Sequence, residues 1–403
     1  MAMLSPRRLP RALAPGGLAG LVFLLPPVSG LLAKLFRSRT LFGDYQAVAC
    51  AGQKVLAHQP VYDFGLHCGG MHASVYVYIP AVAQFAAFCQ KLLGGGGFFL
   101  LYLALFAASV GGLIFVPLLS KAAPGTWRDK LPFTVFLSGS AVMWGNIAVI
   151  LHAGVMMAAL VLDSAPWLFV AAVVVAAWVK PVFLTYLIVV LIADRPLLQR
   201  AAMALTGVMA GLLPTFVYAT IGGDEAHAWL TVLSHFVYVQ TPGYGVLGWL
   251  AAAGVHGDGL LAKVVYLVFA LALGVSGLIL AEGLRLDARD RLWLGLALAA
   301  LMIPRIMSQD LFLLGPGLWR LARSASRLDG RLAKQAPPLM LIVCSVALLG
   351  GLTNLGEWLT PLALMGLSLL VMGLAAVTLR QRMPRLAQLA TAWLHRTPPQ
   401  AAE

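Results

Sequence analysis

Four ionisable side chains stand where the surrounding residues make them conspicuous. Asp44 lies in the run FGDYQAVACAGQKVLAHQPVYDF (42–64), a polar stretch in a chain whose other long segments are mostly apolar. Lys180 is alone in the apolar run 166–193, which holds no acid to pair with it. Arg305 and Asp310, with Gln309 between them, lie in PRIMSQDLFLLGPGL (304–318). A carboxylate at the start of a helix can take a proton as a general base, or it can simply cap the helix. A cation in an apolar run grips an anion, pairs with another helix or snorkels to the surface. Arg305 can hold an anion with Asp310 orienting a hydroxyl or the arginine itself, or the two can close a local salt bridge.

The elements that position these groups follow from composition. The 403 residues are 61% hydrophobic and 11% charged, with a net charge of +13 and a mean hydropathy of +0.88. Soluble domains are about 25% charged, so water is not the main solvent here. Apolar runs of spanning length recur along the chain. The reading is an all-α, polytopic transmembrane helical bundle, one integral membrane domain over 1–403 with about twelve spans and interfacial helices in its outer loops. The cations cluster between the apolar runs, as the bias of Lys and Arg toward cytoplasmic loops requires. They form no basic stripe interleaved with base-stacking aromatics, which speaks against nucleic acid as a partner.

Positive clusters thread the chain. Arginines precede the run from Ala14 to Leu35, which lacks a convincing cleavage site and reads as an uncleaved first helix. It delivers a first outer loop, 36–74, in which Ala47, Val48, Ala51 and Val55 form the apolar stripe of a short interfacial helix that Pro60 ends. Residues 75–92 then return inward, Gly94 to Gly97 turn, and 98–118 cross outward. Residues 131–143 and 146–162 pair as short helices, and 166–193 return inward to Asp194 and Arg195. In the second half, 201–221 lead to a second outer loop, 222–258, and 260–281 come back to the basic 285–291 loop. Residues 292–304 and 307–319 form an out-and-back pair, 336–354 and 358–379 a final hairpin, and 380–403 a cytoplasmic tail. Ser120–Lys130 resists this path, because Lys121, Arg128 and Lys130 fall outside; a re-entrant 75–92 would move that loop inside. Cys89 and Cys344 sit in apolar segments, whereas Cys50 and Cys68 share one polar loop, where they can pair or stay apart.

The run GDYQAVACAGQKVLAHQPVYD resembles the first outer loop of the polyprenyl-phosphate-mannose-dependent mannosyltransferases, within the GT-C superfamily of membrane glycosyltransferases. His58 stands where that family usually has Gly. VYVYIPAVAQF (75–85) resembles its Tyr-Pro-Pro segment, with Ile79 for the first Pro. WGNIAVILHAGVM (144–156) resembles its Gly-Gln-hydrophobic-Asn segment, with Asn146 for Gln and Ala148 for Asn. WVKPVFLTYLIVVLIADRP (178–196) and PRIMSQDLFLLGPGL (304–318) resemble its Lys-Pro segment and a late Pro…Tyr-Asp-Leu segment.

This resemblance implies a membrane glycosyltransferase that moves a hexose or pentose from a polyprenyl-phosphate sugar to a lipid- or glycan-linked acceptor hydroxyl. The reaction would lie on the outer face of the inner (plasma) membrane. Asp44 is then the general base of an inverting transfer, since a retaining one usually needs a second close carboxylate. Lys180 and Arg305 would hold the donor phosphate. Tyr45, Gln46, Tyr78, Asn146, His235, Gln309 and Asp310 would line the substrate site. The outer loop with His227, His235, Tyr238, Gln240 and TPGYG (241–245) suits sugar stacking and hydrogen bonding, while His152, on an apolar helix, reads as a satisfied core histidine. No paired carboxylates resemble a divalent-cation site, so neither metal nor other cofactor is expected. The rival readings are a lipid or glycolipid transporter or flippase, for which no inverted repeat is visible, and a non-catalytic assembly subunit.

Overall fold

The computed structural model describes residues 41–64, 68–71, 73–137, 139–353 and 355–395, with isolated positions between 24 and 36. The first helix expected over Ala14–Leu35 therefore lies largely outside the described residues. Every element among the described residues is helical, with no strand. Four segments are long and apolar enough to cross a membrane: Pro80–Leu119, Leu197–Ile221, Leu260–Gly283 and Gly356–Pro384. Large apolar side chains such as Leu205, Met209, Phe216, Leu267 and Leu271 are exposed along these helices. Such continuous apolar surface fits lipid rather than water.

Helix α1 (Gly43–Leu56) buries Ala47, Val48 and Ala51 of the expected stripe, but also Ala49, Cys50 and Gly52, so it is covered on more than one face; Val55 is half-buried and Gln53 exposed. Its N-cap is Phe42 in a left-handed conformation, and Asp44 lies in the first turn without capping any backbone N–H. The capping alternative for Asp44 is thereby removed.

Helix α2 (Pro80–Ile114) packs its first half along α1 in the opposite direction: Gln90 Nε2 donates to the Ala49 carbonyl at 2.7 Å, and Gly52 faces Ala86 and Ala87. A Cβ on Gly52 would come within 2.9 Å of the Ala87 nitrogen, so glycine permits this approach. At Gly94 the backbone leaves the helical region with φ 70° and ψ 167°, and the chain turns away along a new axis. The Tyr45 ring packs on Phe98, Phe99 and Tyr102 just beyond that break. The first half of α2 thus lies antiparallel beside α1, and the chain after Gly94 leads on to the 120–130 loop.

That pass ends among cations. Arg289 donates to the carbonyls of Lys121, Ala122 and Ala123, the Trp293 indole to Ala122 at 2.9 Å, and Arg323 pairs with Asp129 at 2.8 Å. The 120–130 loop thus shares one end of the bundle with the 285–291 and 320–334 segments, correcting the expected path, which separated them. We call this the basic end.

A 3-10 segment (Leu131–Phe136) and the short helix Gly139–Met143 lead back to the opposite end, where α3 (Ile147–Ala159) starts. The turn after α3 is held by Arg195, which donates to Leu162 and Asp163. Helix α4 (Pro166–Val179) then runs to Lys180, whose extended backbone (φ −140°, ψ 106°) breaks the helix before a 3-10 segment (Pro181–Leu187) and α5 (Ile188–Ile192). Pro181 disfavours helical geometry at the residue before it. Along α6 (Leu197–Ile221), Gly207 faces Val170 and Leu187 while Gly211 faces Ala177 and Leu184. Thus α4 runs with α6 and the segment after Lys180 runs against it. The expected single crossing 166–193 is a hairpin with Lys180 at its tip.

Helix α7 (Leu260–Gly283) brings Glu282 to the basic end between Arg200, at 3.0 Å, and Arg291, at 2.7 Å. Asp287 caps α8 (Ala288–Leu301), accepting from the Asp290 N–H at 2.7 Å. Helix α8 is buried along its length and packs on α9 (Gly315–Ala325), forming the out-and-back pair expected here. Helices α10 (Ala336–Leu352) and α11 (Gly356–His395) form the final hairpin. The segment expected as a tail from 380 continues α11 through His395.

Candidate active site

Opposite the basic end, three separate elements deliver polar groups to one place. Backbone N–H groups of Phe42 and Asp44 donate to Met143 and Trp144 at 2.8 and 3.0 Å, fixing the start of α1 against the start of α3. Asn146 caps α3: its Oδ1 accepts from the Ala148 N–H at 2.9 Å. That bond fixes which way the amide faces. Its Nδ2 then donates to Asp44 Oδ2 at 2.6 Å, across 102 residues of chain. Lys180 Nζ donates to the same Asn146 Oδ1 at 2.8 Å and sits 5.4 Å from the centre of the Tyr78 ring. Asp44 Oδ1 accepts no hydrogen bond among the described residues.

A second constellation lies beside the first. His152, only 1% exposed, places Nδ1 2.7 Å from the Tyr186 hydroxyl and Nε2 2.8 Å from Asp310 Oδ1. An ionised carboxylate only accepts, so the pairing assigns the proton to Nε2 and lets Tyr186 donate to Nδ1. Asp310 Oδ2 accepts from the Met307 N–H at 2.8 Å. Asp310 is thus committed to His152 and its own turn, and the local Arg305–Asp310 salt bridge is not formed. His152 is satisfied, as its apolar helix suggested.

Arg305 instead grips Thr241: Nε donates to the Thr241 carbonyl at 2.5 Å and Nη2 to its hydroxyl. Its guanidinium lies 5.1 Å from the centre of the Phe236 ring. Backbone bonds from Tyr244 to Ile306 (2.8 Å) and Leu247 to Pro304 (3.1 Å) tie the 241–247 segment to this loop. Burial lowers the Arg305 pKa from its usual value, while the carboxylates of Asp310 and Asp44 oppose that shift. Lys180 lies within electrostatic reach of Asp310, Asp44 and Arg305. Two cations and two carboxylates therefore share this end of the bundle.

Of the residues picked from the sequence, Asp44, Tyr78, Asn146, Lys180, Arg305 and Asp310 come together. Tyr45 and Gln46 do not: they line a mainly apolar groove of about 480 Å³ between α1 and α2, with Leu41, Phe42 and Phe99. His235 packs edge-on against Phe64, 5.1 Å between ring centres. Gln309 is buried beside Asp310. Tyr186 and Thr241 lie in segments read as part of the site, 178–196 and 241–245, but their pairings with His152 and Arg305 were not legible, because those partners are 34 and 64 residues away. Cys50 and Cys68 form a disulfide that ties the following loop to α1. No group of three His, Cys, Asp or Glu among the described residues could hold a metal ion. No family model, no curated protein and no solved structure matches the chain.

Proposed function

We propose that the chain is a membrane glycosyltransferase that moves a sugar from a polyprenyl-phosphate donor to an acceptor hydroxyl, with Asp44 as general base. The observation that carries this reading is the single amide of Asn146 joining Asp44 to Lys180, beside Arg305. It sets a proton acceptor and two cations side by side. An isoprenoid tail would keep the donor in the bilayer with its phosphate-sugar bond at the surface. The acceptor oxygen attacks the anomeric carbon from the face opposite the phosphate, and its proton passes to Asp44 Oδ1. The bond from that carbon to the phosphate oxygen breaks, and its electron pair leaves on the polyprenyl phosphate. One displacement at one carbon inverts the configuration. Lys180 and Arg305 stabilise the charge that gathers on the leaving phosphate. Tyr78, under Lys180, would add a wall for the sugar.

The sidedness has two supports. Disulfides persist in oxidising compartments, and Cys50–Cys68 lies at the site end. Lys and Arg favour cytoplasmic loops, and the opposite end gathers Lys121, Arg128, Arg285, Arg289, Arg320, Arg323 and Arg327. The site then faces the periplasm or exterior of an inner (plasma) membrane. With a first crossing over 14–35, the corrected path still amounts to about twelve passes, many of them short.

The test is transfer by purified protein from polyprenyl-phosphate sugars, wild type against Asp44→Asn. The variant keeps the side-chain size and still meets Asn146, so unfolding should be unchanged while transfer falls at least about a hundredfold. Near-normal turnover in Asp44→Asn would sink the base assignment. Donor binding without transfer by the wild type would favour a lipid-handling or assembly role.

A further inference from the structure

The basic end contains a cavity of about 740 Å³, on the opposite side of the bundle from Asp44. Arg285, Arg320, Arg327 and Arg382 line it, with Asp287 and Asp290 the carboxylates in its wall. Asp290 is taken by Arg320 at 2.6 Å, and Asp287 caps the start of α8. The side chains of Arg285, Arg327 and Arg382 have no hydrogen-bonding or ion-pairing partner among the described residues. They converge from three different elements: the turn after α7, the turn after α9 and the body of α11. Arg285 is held in a left-handed conformation (φ 53°) that a residue with a side chain rarely adopts. The wall is tied together where the Gln381 amide brackets the Asp329 backbone, accepting from its N–H at 3.2 Å and donating to its carbonyl.

Cations that only orient a membrane protein can spread over a convex, solvated surface. Here they line a concavity, and its depth identifies the ligand. Gly283, the last residue of the membrane-length helix α7, lines it, and Arg382 lines it just past the apolar stretch of α11, so it opens at the level of lipid headgroups. Guanidinium groups match phosphate oxygens in pairs. We infer that this pocket binds the phosphate of an anionic phospholipid headgroup from the leaflet opposite the catalytic one.

The experiment compares lipid occupancy of purified protein by native mass spectrometry, with phosphatidylglycerol or phosphatidylcholine added to the micelles. Wild type should retain phosphatidylglycerol selectively. Each of Arg285→Gln, Arg327→Gln and Arg382→Gln should weaken that binding about tenfold or more, as loss of a charge-assisted contact does. Replacing Arg128, Arg331 and Lys334, cations of the same end outside the pocket, should leave it unchanged. Inorganic pyrophosphate is the second arm. If it binds through the same arginines and phosphatidylglycerol does not, the phosphate chemistry stands but its lipid source is overturned. Equal loss in both sets of variants, or no selectivity in the wild type, overturns the pocket altogether. The single variants are compared at equal thermal stability, so a folding defect is seen as such.

Discussion

The Arg289 guanidinium meets the Ala123 carbonyl at 2.6 Å, joining the first turn of α8 to a loop 166 residues earlier in the chain. With the bonds to Lys121 and Ala122, it decides on which side the 120–130 loop lies, which the cation count alone had left as an exception.

With Cys89 and Cys344 replaced, single cysteines at Arg128 and Arg331 should label from the same side of sealed vesicles, and one at Gln53 from the other. Labelling of Arg128→Cys together with Gln53→Cys would restore an inward crossing over 75–92.

Hydropathy reports whether a segment is apolar and not which way it runs, which explains what could be read in advance. The run 166–193 is uniformly greasy, so its length alone made one crossing, although Lys180-Pro181 carried the break in plain view. Gly94 was legible as a turn, but the turn redirects the chain from beside α1 instead of reversing it. The α1 helix was legible because a helix repeats every 3.6 residues whatever it packs on, but its burial on a second face, at Ala49 and Gly52, depends on the packing of α2. Asp44, Asn146 and Lys180 could be picked singly by type and setting, but the amide that links them depends on three backbone placements. Arg305 and Asp310, neighbours in sequence, found their partners in Thr241 and His152, which local spacing cannot show.

Lys180→Met and Arg305→Met should each weaken polyprenyl-phosphate binding by about 1.5–3 kcal/mol, the range for a hydrogen bond to a charged group. Equilibrium binding of the donor to purified protein measures this, with thermal unfolding run in parallel. Unchanged affinity in both variants would remove the phosphate site.

Asn146→Ala should lower stability by about 1 kcal/mol through the lost cap of α3. It should lower transfer by more than that loss explains, because Asp44 and Lys180 are no longer held apart at fixed positions. Residues acting as a unit are not additive, so Asp44→Asn with Asn146→Ala should transfer no worse than Asp44→Asn alone. A multiplicative loss in the double variant would mean the two act separately.

His152→Leu should destabilise the fold by about 1–3 kcal/mol, since it leaves the buried Asp310 carboxylate and Tyr186 hydroxyl without their shared partner. Asp310→Asn should be milder, because an amide can still meet the imidazole. Thermal unfolding in micelles ranks them, and the reverse order would contradict the assigned pairing.

Lys130 is buried beneath the 120–130 loop, with its ammonium 3.4 Å from the Ser120 and Ala123 carbonyls. Burial first, and then Arg289, push its pKa down from 10.5 to about 8, against the pull of Asp129. Between those values the unfolded chain holds the proton and the folded one has released it, so stability rises as pH climbs through that window. Lys130→Met should therefore be more stable than wild type at pH 7, with the gap closing toward pH 10.5. A gap that does not change with pH would mean that Lys130 has an ordinary pKa in the folded chain.

Helices α3 and α4 are 13 and 14 residues long, which at about 1.5 Å per residue gives roughly 20 Å each. The hydrocarbon layer is about 30 Å thick. Both helices end in the site, one at Asn146 and the other at Lys180, so neither can reach the usual plane of the headgroups. Thinning of the bilayer around the short helices is one way to relieve a hydrophobic mismatch of this size. The lipid surface would then form a dimple at this flank of the protein, and a phosphate travelling in the leaflet would descend toward Lys180 without leaving the headgroup layer. If Lys180 holds a donor phosphate as proposed, its ammonium would not need to climb to that ligand, because the shortness of its own helix would draw the membrane surface down to it.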